Sequence, residues 1–429
     1  MRVLVAVHGA ASARLARLFR IRDYSLLWSG STVSLFGDGI YFVAIPWEVY
    51  RLSSSPAAYG IVGAAFALPQ VLFVLVGGVI SDRLNRRALM IAASVTSALA
   101  IGVLGLLVAL HLEQLWMIVV LVFVYGASQA VFMPASRALI PTLVPLELLP
   151  QATAMNQLLE PITLAVIGPA AGGLIIAAAG TGAAFLIDSA TFAVAVVTLA
   201  LMSGGAIQRV AAEGPQRKAS VLREAREAIG FVRRTPWIWA GLLSAAIANV
   251  ALSGPLTVLT PYVVKYSLHG TASDLGLIFA VGGIGGVAAA AYVAVRGTPR
   301  RKVTWIFLAW AIACLAMTPI GFARAPWQLM VLSIFIVGGL TLGNLIWFTL
   351  MGTLVPNEML GRITSLDAMV SFSLTPVSNA LTGPVAALAG VRETLLGAGV
   401  LGALVGVGAL LVPGVRDPEK DALPAPTSA

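Results

Sequence analysis

The run Gly77-Gly78-Val79-Ile80-Ser81-Asp82-Arg83-Leu84-Asn85-Arg86-Arg87 decides how this chain is read. Ahead of it an apolar stretch extends from Ala57 to Ile80, interrupted only by Pro69 and Gln70. Behind it another extends from Ala88 to Leu110. Each is long enough to cross a bilayer as a helix, which takes about 20 apolar residues. The link between them is short and carries Asp82, Arg83, Arg86 and Arg87. So short a link forces a tight helical hairpin, and its excess of arginine puts it on the cytoplasmic side.

Composition extends this reading to the whole chain. Over 429 residues, 59% are hydrophobic, 10% are charged, and the mean hydropathy is +0.94. A soluble domain carries about 25% charge. The chain is therefore expected to be an all-α membrane protein. The net charge of +9 does not signal nucleic acid, because the basic residues stand at helix ends rather than in one patch. The single cysteine, Cys314, lies inside an apolar span and leaves no disulfide within the chain.

Twelve spans are predicted, at 26–49, 57–81, 88–110, 115–138, 151–178, 183–203, 237–262, 274–295, 303–322, 327–350, 364–388 and 394–412. The one long polar interruption, 204–236, separates two bundles of six, 26–203 and 237–412. Residues 1–25 and 413–429 are expected to be cytoplasmic tails. With both tails inside, all of the 27 basic residues except Arg51, Lys265, Arg324 and Arg392 fall on the cytoplasmic side. The apolar run Val3 to Val7 is too short for a signal peptide, and Leu15 to Phe19 reads as an amphipathic stretch on the membrane surface. In the linker, Val221, Ala225, Ile229 and Val232 recur at helical spacing with arginines between them, which predicts an amphipathic helix over 220–234.

The two bundles repeat. At an offset of 211 residues, Leu143-Val144-Pro145-x-Glu147-x-Leu149 falls on Leu354-Val355-Pro356-x-Glu358-x-Leu360. Trp28 and Gly30 fall on Trp239 and Gly241, Asn156 on Asp367, and Asp38 on Asn249. Six spans in each copy make this a parallel repeat, a pattern found in the two halves of one class of secondary transporter.

The spacing Gly78-x-x-x-Asp82-Arg83-x-x-Arg86-Arg87 resembles the loop between the second and third helices of the major facilitator superfamily. One departure is Asn85, where that family usually has glycine; asparagine also tolerates a left-handed backbone. By that resemblance Gly78, Asp82, Arg83, Arg86 and Arg87 form a cytoplasmic gate. Asp82 would cap a helix start in the other half, and the arginines would pair with carboxylates or lipid phosphates. Gly168-Pro169-Ala170-Ala171-Gly172-Gly173 resembles the exporter motif of span five, where Pro169 would kink the helix and the glycines admit a close neighbour. The buried arginine that many proton-coupled exporters carry in span four is absent: Val122 stands four residues before Gly126. Phe132-x-Pro134-Ala135-x-Arg137-x-Leu139-Ile140-Pro141 and the 222–236 segment look like the macrolide-efflux and siderophore-exporter branch.

No Gly-x-x-x-x-Gly-Lys phosphate loop and no His-Glu-x-x-His occur, so neither ATP drive nor metal catalysis is supported. Gly397-x-Gly399-x-x-Gly402 lies inside a span and reads as helix packing. Acids inside a membrane are costly and are functional candidates for that reason. Those in the spans are Asp38, Glu48, Glu160, Asp188 and Asp367. Glu48, Asp188 and Asp367 stand near span ends, where interfacial water would solvate them; Asp38 and Glu160 stand deeper.

Asp38, flanked by Gly37 and Gly39, is the principal proton-coupling candidate, with Glu160 second. Asp38, Gln129, Glu160, Asn249, Asn344 and Asp367 are placed at a substrate cavity between the halves. The resemblance implies a multi-pass, monomeric transporter of the bacterial plasma membrane, not an enzyme. It would export amphipathic small molecules by proton antiport, with the proton gradient as its energy source and no cofactor, metal or nucleic-acid partner. A dedicated exporter of one metabolite or siderophore, or a flippase-like scaffold, is the alternative.

Overall fold

The computed structural model describes residues 15–81, 85–203 and 221–420. All of the long elements among them are helices, and helices cover each of the twelve expected spans. Eight helical stretches among the described residues are long and apolar enough to cross a membrane. One of them, Leu146–Ala200, takes in both the fifth and the sixth expected span. It is broken at Gly180, whose φ of 82° is open to glycine and costly for other residues. The first span is the continuous helix Arg22–Leu52, which holds Pro46 and carries Asp38 and Glu48. The second is Pro56–Ser81, and the eleventh is split into Asn357–Ser373 and Thr375–Ala389.

The chain forms two units, Met1–Ile45 with Ala65–Pro215, and Pro46–Ala64 with Gln216–Ala429. The hairpin between the first two helices thus groups with the second unit rather than with the bundle it belongs to in sequence. Hydrogen bonds account for this. Within the second unit Tyr50 Oη donates to the Val258 carbonyl at 2.7 Å, Tyr266 Oη donates to the Tyr50 carbonyl at 2.6 Å, and Lys265 Nζ donates to the Trp47 carbonyl at 3.0 Å. Lys265 also lies 4.7 Å from the centre of the Trp47 ring.

In the first unit Leu18, Tyr24, Leu27, Met90, Leu139 and Leu199 share one apolar cluster. Leu18 is fully buried there, whereas Ala16 and Arg17 on the same helical segment 15–19 are exposed, so the segment has one buried and one exposed side. In the second unit the cluster is built on Trp237, Trp310 and Trp347; the Trp347 ring stands 5.5 Å from that of Trp237 and 6.0 Å from that of Trp310. The linker helix is Val221–Arg234. Its buried side carries Ala228 and Val232, whereas Ile229 is exposed. Glu227 on its other side pairs with Arg362 at 3.0 Å.

Asn85 begins the helix Arg86–Ala109 in an extended, not left-handed, conformation (φ −64°, ψ 111°). Its side chain accepts from the Arg87 and Ala88 amides at 3.0 and 3.3 Å, so it serves here as an N-cap. Arg86 donates to the Ala138 carbonyl at 3.0 Å, and Arg87 to the Leu199 and Ala200 carbonyls at 2.8 and 2.7 Å. These three partners are backbone carbonyls rather than the carboxylates or phosphates expected. Two of them end the helix Gly168–Ala200, whose orphan acceptors favour a cation. Asp82 and Arg83 lie outside the described residues, and Gly78 is described only as part of the helix Pro56–Ser81.

Candidate functional site

Small residues bring the first and fifth spans together. A Cβ on Gly39 would stand 2.7 Å from Gly168 Cα, and one on Gly172 would stand 2.9 Å from Ile40 Cα. Glycine is required at this crossing because the contact is backbone to backbone. Gly168, Pro169, Gly172 and Gly173 are all buried. The irregularity expected at Pro169 lies just ahead of it, as a π-helical segment Thr163–Ile167 between Leu149–Ile162 and Gly168–Ala200. A π turn widens the hydrogen-bond register and recurs at functional positions.

The crossing leaves Asp38 facing a cavity of about 500 Å³ inside the first unit. Asp38 is 5% exposed. The Tyr125 hydroxyl donates to its Oδ1, and Gln129 Nε2 donates to Oδ1 and Oδ2 at 3.3 and 3.2 Å. Gln129 also donates to Tyr125 Oη at 3.2 Å. Tyr125 and Gln129 are four residues apart and so share one helix face. Glu160, Asn156, Gln157, Thr153 and Arg137 line the same cavity with Trp28 and Phe132. The lining thus mixes aromatic and aliphatic side chains with amides, hydroxyls, acids and the Arg137 guanidinium. An amphipathic molecule is matched by such a lining.

Of the six residues placed at the cavity from sequence, Asp38, Gln129 and Glu160 line it together. Asn249, Asn344 and Asp367 belong to the second unit. There Asn344 accepts from the Trp310 indole at 3.1 Å, and Asp367 is buried beside Trp347. Glu48, Asp188 and Asp367 are all buried, contrary to the solvated interface expected of them. Glu48 accepts from Arg51 at 2.7 Å. Tyr125 was not singled out from sequence. Its signal was its position one turn before Gln129 in an apolar span, but a tyrosine there reads equally well as packing. Among the described residues no group of three or more His, Cys, Asp or Glu stands together as a metal site.

Membrane-length helices around a cavity with a buried acid define a multi-pass membrane transporter. The Major Facilitator Superfamily model matches residues 27–378, and the chain belongs to that superfamily. It is 26% identical over 392 residues to the uncharacterized MFS-type transporter YfiS of Bacillus subtilis, covering 89% of this chain and 91% of that protein. It is 26% identical to the multidrug efflux pump Tap of Mycolicibacterium fortuitum, with 89% and 93% covered. To macrolide efflux protein A of Streptococcus pyogenes it is 24% identical, with 89% and 94% covered. Among solved structures, its fold is similar to a bacterial homologue of the lysosomal transporter Spinster (TM-score 0.68, 14% identity, 95% and 99% covered). It is also similar to a bacterial homologue of the iron transporter ferroportin (TM-score 0.65, 17% identity, 91% and 99% covered).

Proposed function

We propose that this transporter exports amphipathic small molecules across a bacterial plasma membrane in exchange for protons, by alternating access. The observation that carries the reading is Asp38: an acid 5% exposed, at the wall of a mixed polar and aromatic cavity, held by a phenol and an amide and, among the described residues, by no cation. Such an acid either bears a proton or accepts a cation from the cavity, and a carrier that alternates between the two exchanges one for the other. Glu160, at the same cavity beside Pro161, is the second exchangeable acid. The likeness to a multidrug pump and a macrolide efflux protein supports the substrate class. Both termini are placed in the cytoplasm by the distribution of arginine. The protein works as a monomer, driven by the proton gradient. Gly78, Asp82, Arg83, Arg86 and Arg87 act as its cytoplasmic gate.

The test is accumulation of ethidium and erythromycin in cells lacking their own pumps. Expression should lower accumulation of both, and a protonophore should abolish the difference. Efflux that persists without a proton gradient overturns the coupling. No effect on either compound, with export of a single endogenous metabolite or siderophore instead, favours a dedicated exporter.

A further inference from the structure

One buried acid next to this site has no task in that scheme. Asp188 lies in the Gly168–Ala200 helix and is 0% exposed. Thr191 Oγ1 donates to the Asp188 carbonyl at 2.7 Å and stands 3.5 Å from Asp188 Oδ1. Oδ2 is buried with no hydrogen-bond partner among the described residues. Among the described residues no cation forms an ion pair with it. The Gly168–Ala200 helix contains no Lys or Arg. The helix packed along it, Arg86–Ala109, has only Arg86 and Arg87, and Arg87 is engaged with the Leu199 and Ala200 carbonyls at the helix end. An unpaired carboxylate at such a place is expensive, and a proton on it removes the charge.

The surroundings of Asp188 lead to Asp38. A Cβ on Gly37 would overlap Asp188 Oδ1 and Thr191 Oγ1, so the acid rests on the backbone of the residue before Asp38. One turn to either side, Phe185 and Phe192 hold Asp188 against the first and fourth spans. The Phe185 ring is 6.2 Å from Tyr41, the Phe192 ring is 5.9 Å from Tyr125, and Tyr41 and Tyr125 are 4.8 Å apart. Tyr125 in turn donates to Asp38. The titratable groups facing Asp188 are thus Asp38 and Tyr41 from the first span and Tyr125 from the fourth. Asp38 lines the cavity and Asp188 does not.

We propose that Asp188 is a second proton-carrying group for transport, which exchanges its proton with Asp38 past Gly37, against which Asp188 packs, and the Tyr125 hydroxyl, which donates to Asp38. The proposal rests on the reading of Asp38 as the proton-exchanging acid. In the step, the O–H bond on Asp188 breaks and an O–H bond on Asp38 forms, so the pair keeps its net charge. Asp188 then serves as a reserve that reloads Asp38 without opening to the cavity.

Infrared pH-difference spectra of the purified full-length protein test this, together with ethidium transport in proteoliposomes. Wild type should show protonated-carboxyl bands that include one from Asp38 and one from Asp188. Asp188→Asn should remove one and displace the other, Asp38→Asn should remove that other, and Gly37→Ala should displace both. Asp188→Asn should bind ethidium within about twofold of wild type while pH-driven uptake falls about tenfold or more. A merely structural Asp188 would lower thermal stability and leave the Asp38 band and the pH profile in place, which overturns the proposal. If Asp188→Asn does not fold, Gly37→Ala decides: bands and pH profile unchanged from wild type also overturn it. If Asp38→Asn itself keeps coupled transport, the reading of Asp38 fails; if only Asp188→Asn keeps it, this inference alone fails.

Discussion

The two units place their polar groups at matching repeat positions and use them differently. In the first, Asp38 and Asn156 both line a cavity. At the matching positions the second has Asn249 and Asp367, so acid and amide are exchanged. Asp38 is held by a phenol and an amide, whereas Asp367 lies beside Trp347 in a cluster of three tryptophans. Glycine serves both units in different ways. Gly39 and Gly168 let two backbones meet, while Gly241 and Gly343 make room for the rings of Trp347 and Trp310. The repeat thus conserves where polarity enters each bundle, and the aromatic neighbours decide whether it meets open space or packed rings.

The largest expected effect separates the two acids. Asp38→Asn should reduce pH-driven efflux by about 100-fold or more, the scale of a lost proton-transfer group, while the protein still folds and inserts into the membrane. Asp367→Asn, measured in the same assay, should cost less than about threefold, within the scale of one modest hydrogen bond. Equal losses would mean that both units carry an exchangeable proton and would dissolve the contrast.

The next prediction concerns the glycines. Gly39→Ala drives a Cβ into Gly168 backbone and should destabilise the protein by about 1–3 kcal/mol, read as a lower Tm in detergent. Gly241→Ala meets a ring instead, which can turn aside, and should lower Tm less. The reverse order would show that the tryptophan cluster is the more rigid of the two.

Tyr125→Phe tests the donor to Asp38 directly. Loss of one hydrogen bond to a charged or buried acid costs about 1–3 kcal/mol. Transport should fall about tenfold with a changed pH profile, and Trp347→Phe should leave the pH profile as it was.

The smallest effect is expected at the linker helix. The Glu227–Arg362 pair is half exposed, with side chains 49% and 33% accessible. Such pairs contribute about 0–1 kcal/mol, so Glu227→Gln should shift Tm by no more than a degree or two. A larger shift would make this contact part of the second unit's core.

Much of this was determined by sequence alone, because a bilayer imposes one-dimensional rules. Spans must be apolar over about 20 residues, and arginine excess marks the cytoplasmic side. Those rules located the helices, the Val221–Arg234 segment and the repeat, and they made Asp38, Gln129 and Glu160 worth joining. What tertiary structure decided depends on facing directions that apolar runs do not encode, since a span that is hydrophobic all round carries no stripe to orient it. Burial of Asp188 is one example: distance from a span end suggested water, but Gly37, Phe185 and Phe192 close over it. Tyr125 is another, for only the crossing of the first and fourth spans shows that its hydroxyl reaches Asp38. Asn85 is a third: its tolerance of a left-handed turn was legible, but the free amides of Arg87 and Ala88 favoured an extended cap. Tertiary packing also assigned the hairpin at 46–64 to the second unit, because the donors that fix it, Lys265 and Tyr266, lie more than two hundred residues further along the chain.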